Sequence, residues 1–339
     1  MDHVAIDLGG RESQICVRRP DGTVVEERRL RTHEVPRYLG ERPGSRVIVE
    51  TCSEAFWVAD AARAAGHEVR VVPATLAPTL GVGARRMKTD RRDAQVLSEV
   101  SCRIDLPSVH IPSAEARAAK TLCGMRDGLV RSRTLLLNTV RGWLRTQGRR
   151  LASGSVHTFG ARVRAAVGEP LPSYVARQLQ LLEHLHAAIA DADREVTAWA
   201  TGDPVARRLL TVPGVGPVTA VRFVAALDDH TRFDGAHAVE AYVGLVPGQD
   251  SSGARTRHLG ITKAGSRSLR WCLVQAAHCA KRTLKPGPLR DWVDAVQHRR
   301  GRQVAVVALA RKLTGILYAI WRDGTRFDPH RTNAAPLAG

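Results

Sequence analysis

A mixed α/β domain at the N-terminus, followed by long helices and a mainly helical C-terminal region, is the architecture this sequence predicts. Three observations predict it. Strand-length apolar runs fill residues 3 to 72, apolar residues recur at helical spacing over 113–150 and 174–200, and helical periodicity continues through 264–324.

Taken in order, strands are expected at 3–9, 13–19 and 23–30, with Asp21-Gly22 as the hairpin turn between the second and third. A short helix near 33–41 precedes a strand at 46–50. The run from Ala55 to Ala65 reads as a helix stopped by Gly66, and a further strand follows at 68–72. A helix over 90–101 closes this part. A meander of three strands followed by αβ units is the order of an RNase H-like (RuvC-like) nuclease domain. In that fold, acids on the first strand, the fourth strand and the last helix meet over two metal ions.

Acids stand at those places. Asp90 and Asp93 in Lys88-Thr89-Asp90-Arg91-Arg92-Asp93-Ala94 share one face of a helix start, where two bare carboxylates repel unless a cation lies between them. Asp7 ends the apolar run Val4-Ala5-Ile6, and Glu50 ends Val47-Ile48-Val49. A carboxylate is costly to bury and ill suited to a strand interior, so such placements point to a partner or a task. The plainer alternative for the helix pair is a solvated helix start capped by Thr89, since acids suit the positive end of a helix. With Asp7 and Glu50 included, a magnesium site of hard oxygen ligands is the better reading: a metal pair can stabilise both attacking and leaving oxygens in phosphoryl transfer.

Composition bounds the substrate. A formal charge of +18 over 339 residues, spread along the chain, favours a polyanion, and nucleic acid is the commonest one. No apolar run is expected to reach the length of a bilayer span, and Met1-Asp2-His3 enters a strand without a signal-peptide pattern; a cytoplasmic, nucleoid-associated protein with no membrane partner is the expectation. The six cysteines form no CxxC pair and the thirteen histidines show no zinc-finger spacing, which argues against structural zinc and a disulfide framework. Cys272 and Cys279, two turns apart on one helix, read as core thiols.

From 113 to 150 bases greatly outnumber acids, and Arg141, Arg145 and Arg149 recur every four residues as a stripe. With the amphipathic 174–200 segment beyond the Gly/Ser-rich break at 152–160, this suggests an antiparallel hairpin or coiled coil whose basic face contacts a nucleic-acid backbone. Pro213-Gly214-Val215-Gly216-Pro217 has the Pro-Gly-hydrophobe-Gly pattern of a helix-hairpin-helix, where Gly214 and Gly216 leave backbone N–H groups free to hold phosphate at a helix start; a plain turn between helices is the alternative. Ser251-Ser252-Gly253, followed by Arg255, Arg257, His258 and Lys263, sets hydroxyls near cations able to stabilise a pentacovalent phosphate, although Ser-Ser-Gly is also ordinary loop chemistry.

Together, Glu50-Thr51-Cys52-Ser53, Lys88 to Ala94, Pro213 to Pro217, and Gly244-Leu245-Val246-Pro247 through Ser251-Ser252-Gly253 with Gly260-Ile261-Thr262-Lys263 resemble an IS110-family transposase, closest to its IS1111 branch. The likeness runs from about residue 3 to 285, the four motifs in the same order. It implies a RuvC-like domain with a DEDD acid set over 1–108, a helical coiled-coil segment over 109–202, and a transposase domain with a catalytic serine over 203–328, before a disordered tail at 329–339. Carried over by position, the acids are Asp7, Glu50, Asp90 and Asp93, holding Mg²⁺, and the nucleophile is Ser252, with Ser251 as its adjacent competitor. The resemblance also implies donor and target DNA, a structured bridge RNA that guides the enzyme by base pairing, a phosphoserine intermediate, a composite site built by the two domains, and a homo-oligomer, dimer or tetramer. Phe56-Trp57 after Glu50 departs from the usual family run and reads as packing. Two other functions fit the residues: a metal nuclease acting on branched DNA without a covalent intermediate, and a non-catalytic basic nucleic-acid-binding protein.

Overall fold

The computed structural model describes residues 1–76, 79, 89–252 and 255–329, with the side chains of 250–258 excepted. Lys88, Gly253, Ala254 and the tail from 330 onward, all part of the sequence reading, lie outside the described residues. The chain divides into two compact units, Met1–Pro112 and Ser113–Gly339.

The first unit is a five-stranded sheet of β1 (His3–Leu8), β2 (Glu12–Arg18), β3 (Val24–Arg31), β4 (Arg46–Glu50) and β5 (Glu68–Val72), in the spatial order β3-β2-β1-β4-β5. The first three strands are antiparallel neighbours, while β4 and β5 run parallel to β1 and to each other. The Asp21-Gly22 turn forms as its residues require: Gly22 takes a φ of +88°, and Asp21 Oδ1 accepts from the Thr23 amide at 2.8 Å. Helices α1 (Val35–Gly40) and α2 (Ala55–Ala64) cover one sheet face, burying Val4, Ile6, Val47 and Val49 against Leu39, Val58 and Ala62. Helix α3 (Asp90–Arg103) covers the other, where Leu97 meets Ala5, Ile48 and Val72. Order and topology are compatible with the RNase H-like architecture read from the sequence.

In the second unit two long helices, α4 (Ala114–Thr146) and α6 (Ser173–Gly202), pack together. Leu137, Val140 and Leu144 of α4 share a core with Val175, Leu179 and Leu182 of α6, whereas Ala119 and Cys123 cluster with Val196 and Ala200. The pair therefore runs antiparallel, and Arg126 pairs with Asp193 across it. Two details differ from the sequence reading. The Gly/Ser-rich break gives way to a further helix, α5 (Phe159–Val167), whose Phe159 and Val163 fill the end of the hairpin core. And α4 ends at Thr146, so Arg149 stands beyond the helix rather than on its stripe.

The remainder comprises α7 (Pro204–Leu209), α8 (Pro217–Leu227), α9 (Ala236–Val243), the hairpin β6 (Pro247–Ser252) and β7 (Arg255–Ile261), then α10 (Arg267–Thr283), α11 (Pro288–Arg300) and α12 (Arg302–Asp323). The region is mainly helical, as expected, but the segment read as a loop around Ser252 is a two-stranded antiparallel sheet. Against the expectation that no apolar run approaches bilayer length, α12 is long and apolar enough to cross a membrane. Half of its most apolar stretch is buried inside the unit, where Leu309, Leu313 and Leu317 are fully enclosed, so core packing accounts for its apolarity.

Candidate active site and nucleic-acid interface

Strand alternation decides where the acids go. Val4 and Ile6 of β1 face α1 and α2, so Ala5 and Asp7 face α3; in β4, Val47 and Val49 face α2, so Ile48 and Glu50 face α3 as well. The parallel register pairs Ile6 with Val49, which puts Asp7 and Glu50 at the same level on neighbouring strands. On α3 the buried positions Asp93, Leu97 and Ser101 recur every four residues along one stripe. Ser101 Oγ lies 2.8 Å from Nδ1 of His3 at the opposite end of β1, so α3 runs against the strand. From Ser101 back to Asp93 is about 12 Å of helix rise, and from His3 to Asp7 about 13 Å of strand. The two distances match, and Asp93 comes to the same end of the sheet as Asp7 and Glu50.

Thr89 begins the helix by accepting the Arg92 amide. One turn before Asp93, Asp90 is exposed, whereas Asp93 is only 2% exposed. Asp7, Glu50 and Asp93 each have a polar or charged neighbour. Among the described residues no three His, Cys, Asp or Glu side chains are gathered closely enough to hold one ion together. The fold thus brings Asp7, Glu50 and Asp93 to one end of one face without closing them into a ready cage, and Asp90 stands exposed one turn away. Their carboxylate oxygens suit a hard divalent cation.

The hairpin pairs Ser252 with Arg255, Ser251 with Thr256 and Asp250 with Arg257. Its base is firmly held. The Thr262 amide donates to Val246 O at 2.9 Å and the Lys263 amide to Gly244 O at 3.1 Å, with Lys263 in the left-handed region at φ +59° and its side chain exposed. Gly265, at φ +67°, approaches the Tyr242 carbonyl so closely that an added Cβ would lie 2.0 Å from its oxygen. Arg270 of α10 reaches across, donating to Val243 O at 3.0 Å and Ala264 O at 2.6 Å. Arg270 thereby anchors the hairpin base to α10, a role that carries no local signature in the sequence.

The Pro213–Pro217 turn does join two helices. Gly214, at φ +82°, lies against α10, where a Cβ would stand 2.2 Å from Ala276 O and 2.6 Å from Ala280 N. That glycine is required for close packing. At Gly216, the residue preceding α8, nothing lies within 4 Å of a built Cβ. Arg141 and Arg145 are both exposed on α4, and the Arg141 guanidinium stacks over the Phe159 ring at 5.5 Å.

A second charged feature has no precedent in the sequence reading. Arg222 of α8 is 7% exposed and donates to Asp127 Oδ2 at 2.5 Å and to the Cys123 carbonyl at 3.0 Å, tying α8 to α4. Close by, burial pushes the Cys272 thiol up to about 11, consistent with the core role expected for it.

Comparison with known proteins bears on these elements. Residues 4–147 match a family model for the DEDD transposases of IS110, described as a transposase, and residues 206–290 match the model described as the transposase IS116/IS110/IS902 family. A probable family 20 transposase of Pseudomonas aeruginosa is 30% identical over 97% of this chain and 99% of its own length. The transposase of insertion sequence element IS1328 from Yersinia enterocolitica is 29% identical over 96% of the chain and 98% of its own. That of IS1111A from Coxiella burnetii is 28% identical over 98% and 92%. With both halves matched and similarity running end to end, the chain belongs to the IS110 family of insertion-sequence transposases.

Proposed function

We propose that this transposase cuts and rejoins DNA through a phosphoserine intermediate, with Ser252 as nucleophile and Asp7, Glu50, Asp90 and Asp93 as the ligands of Mg²⁺. The observation that carries the reading is the convergence of Asp7, Glu50 and Asp93 on the α3 side of one sheet end, from positions far apart in the sequence. When bound, Mg²⁺ supplies positive charge to the phosphate and helps deprotonate an attacking oxygen. The Ser252 hydroxyl forms a bond to phosphorus as the bond to the sugar oxygen breaks; the serine proton leaves and the freed sugar hydroxyl gains one. Attack of a sugar hydroxyl on the phosphoserine reverses these changes on a new strand. A lone serine hydroxyl is a weak nucleophile and needs a base or nearby positive charge to activate it. Arg255, Arg257 and Lys263 follow Ser252 in the chain and neutralise the charge that builds on phosphorus.

Partner choice follows the charge. Donor and target DNA and a structured bridge RNA bind to basic surfaces that include Arg141, Arg145 and Arg149, with Gly216 offering backbone contact; base pairing by the RNA selects the target. The working form is a homo-oligomer. The experiment is strand exchange on supercoiled DNA with the guide RNA, read on a denaturing gel for a protein–DNA adduct. Ser252→Ala should abolish adduct and product, and Asp93→Asn should abolish cleavage with the fold intact. Cleaved ends without an adduct in the wild type would support a nuclease instead. Exchange retained by Ser252→Ala but lost in Ser251→Ala transfers the role to the neighbour.

A further inference from the structure

Helix α10 turns one face inward and leaves another that the fold does not use. Inward, Leu269, Cys272, Leu273, Ala276, Ala277 and Ala280 are buried, and Gly214 presses on the helix backbone. Outward, Arg267, Trp271, Gln275, His278 and Arg282 fall within an arc of about 80°, over about 22 Å of helix. Arg267, Gln275 and Arg282 are exposed, and Trp271 is 62% exposed. Among the described residues no ring or cation stacks on Trp271 and no carboxylate pairs with Arg267 or Arg282. An exposed tryptophan between unpaired arginines has no part in holding the fold, and both residue types favour nucleic acid: a flat ring stacks on any base, and guanidinium groups hold phosphate.

Position supplies the partner. Residues 262–266 link β7 directly to α10, and the Gly265–Tyr242 approach together with the Arg270 bonds makes hairpin base and helix N-terminus one rigid piece. The outward face thus begins beside the strand pair that carries Ser252. We infer that this face is a DNA-binding surface on which Trp271 stacks a base unpaired from the strand next to the cut, with Arg267 and Arg282 on the phosphates to either side. The inference rests on the proposed function for the nature of the strand, and it adds the residue that separates bases before exchange.

Binding without cleavage tests it. The full chain, in buffer with EDTA, is titrated against a fluorescein-labelled duplex carrying a short unpaired bubble, the same duplex fully paired, and an RNA hairpin. Trp271→Ala should weaken bubble binding about 5- to 150-fold, the loss of one stacked base, with much less effect on paired DNA; Trp271→Phe should recover most of it. Arg267→Ala and Arg282→Ala should weaken both DNAs and each lower the salt slope by about 1. Because Trp271 is exposed, all variants should unfold at the wild-type temperature. Wild-type bubble affinity in Trp271→Ala, equal losses on both DNAs, a loss confined to the RNA hairpin, or a change from oligomer to monomer with DNA affinity intact would each overturn the inference. The titration contains EDTA and reads binding without cleavage, so a failed nucleophile assignment leaves its result untouched and the two failures are distinguishable.

Discussion

Gly214→Ala should destabilise the second unit by about 2 to 5 kcal/mol. The residue sits at φ +82°, a conformation that costs an L side chain about 1–2 kcal/mol. Its new Cβ would meet Ala276 O at 2.2 Å and Ala280 N at 2.6 Å, both helix backbone atoms that cannot rotate away. Overpacking of this kind costs about 1–3 kcal/mol, and the two effects add because one is local strain and the other a clash. For a unit of this size each kcal/mol lowers Tm by about 2–4 °C, so a drop of roughly 5 to 20 °C is expected. Gly216→Ala is the control: its φ of −98° is ordinary and its Cβ meets nothing within 4 Å, so it should cost under about 1 kcal/mol, the difference between Gly and Ala before a helix. Calorimetry gives both shifts, and DNA titration at temperatures where each variant is folded gives the affinities. A Gly214→Ala protein with wild-type Tm and selectively weakened DNA binding would refute the packing argument and restore the turn as a phosphate holder.

The Arg222–Asp127 pair predicts an asymmetry. Arg222 is 7% exposed and Asp127 30%, so Asp127→Ala strands a buried cation and should cost about 3–5 kcal/mol, whereas Arg222→Met leaves a carboxylate that can reach water and should cost less; the reverse order in urea unfolding contradicts it. His186 of α6 faces His157 at 4.7 Å between ring centroids, with Arg133 and Glu183 nearby, and its Nε2 has no hydrogen-bond partner. Burial foremost, then the charges of His157 and Arg133, hold its pKa below the ordinary value. The unfolded chain therefore binds the proton first, and stability present above roughly pH 6.5 declines as the pH falls below it. His186→Gln should flatten that decline, and an unchanged slope in stability against pH speaks against it. Arg270→Ala, which loses two charged hydrogen bonds, should raise hydrogen exchange at the Thr262 and Lys263 amides by tenfold or more, on the order of 1.5–3 kcal/mol per bond. Unchanged protection there would mean the hairpin base is held without it.

The first unit was legible because its signals are local. Alternating apolar residues, the Asp21-Gly22 turn and Gly66 punctuate strands and helices at nearly the observed bounds, and acids at strand ends stand out against apolar neighbours. What alternation could not give was the antiparallel run of α3 over β1, which rests on Leu97 and the His3–Ser101 bond. The β6–β7 hairpin was missed because Gln249, Asp250, Ser251 and Ser252 are polar throughout, so no period of two could appear. Helix α5 was hidden by the glycines and serines before it, although Phe159 and Val163 at a spacing of four were the available clue. Gly214 read as a phosphate turn because sequence cannot show which backbone lies across a glycine. Arg222, surrounded by apolar residues in α8, marked a buried ion pair whose partner is too distant in the chain to identify.

The near-contact of Gly265 with the Tyr242 carbonyl has a consequence for chemistry at the other end of the hairpin. Two strands free to slide by one place would set Ser251, not Ser252, opposite Arg255. Beside that approach the Thr262 amide donates to Val246 O and the Lys263 amide to Gly244 O, which ties the register at the root of the ribbon. A residue that has no side chain at all thus belongs to the joint that keeps the backbone of Ser252, and not that of Ser251, across from Arg255.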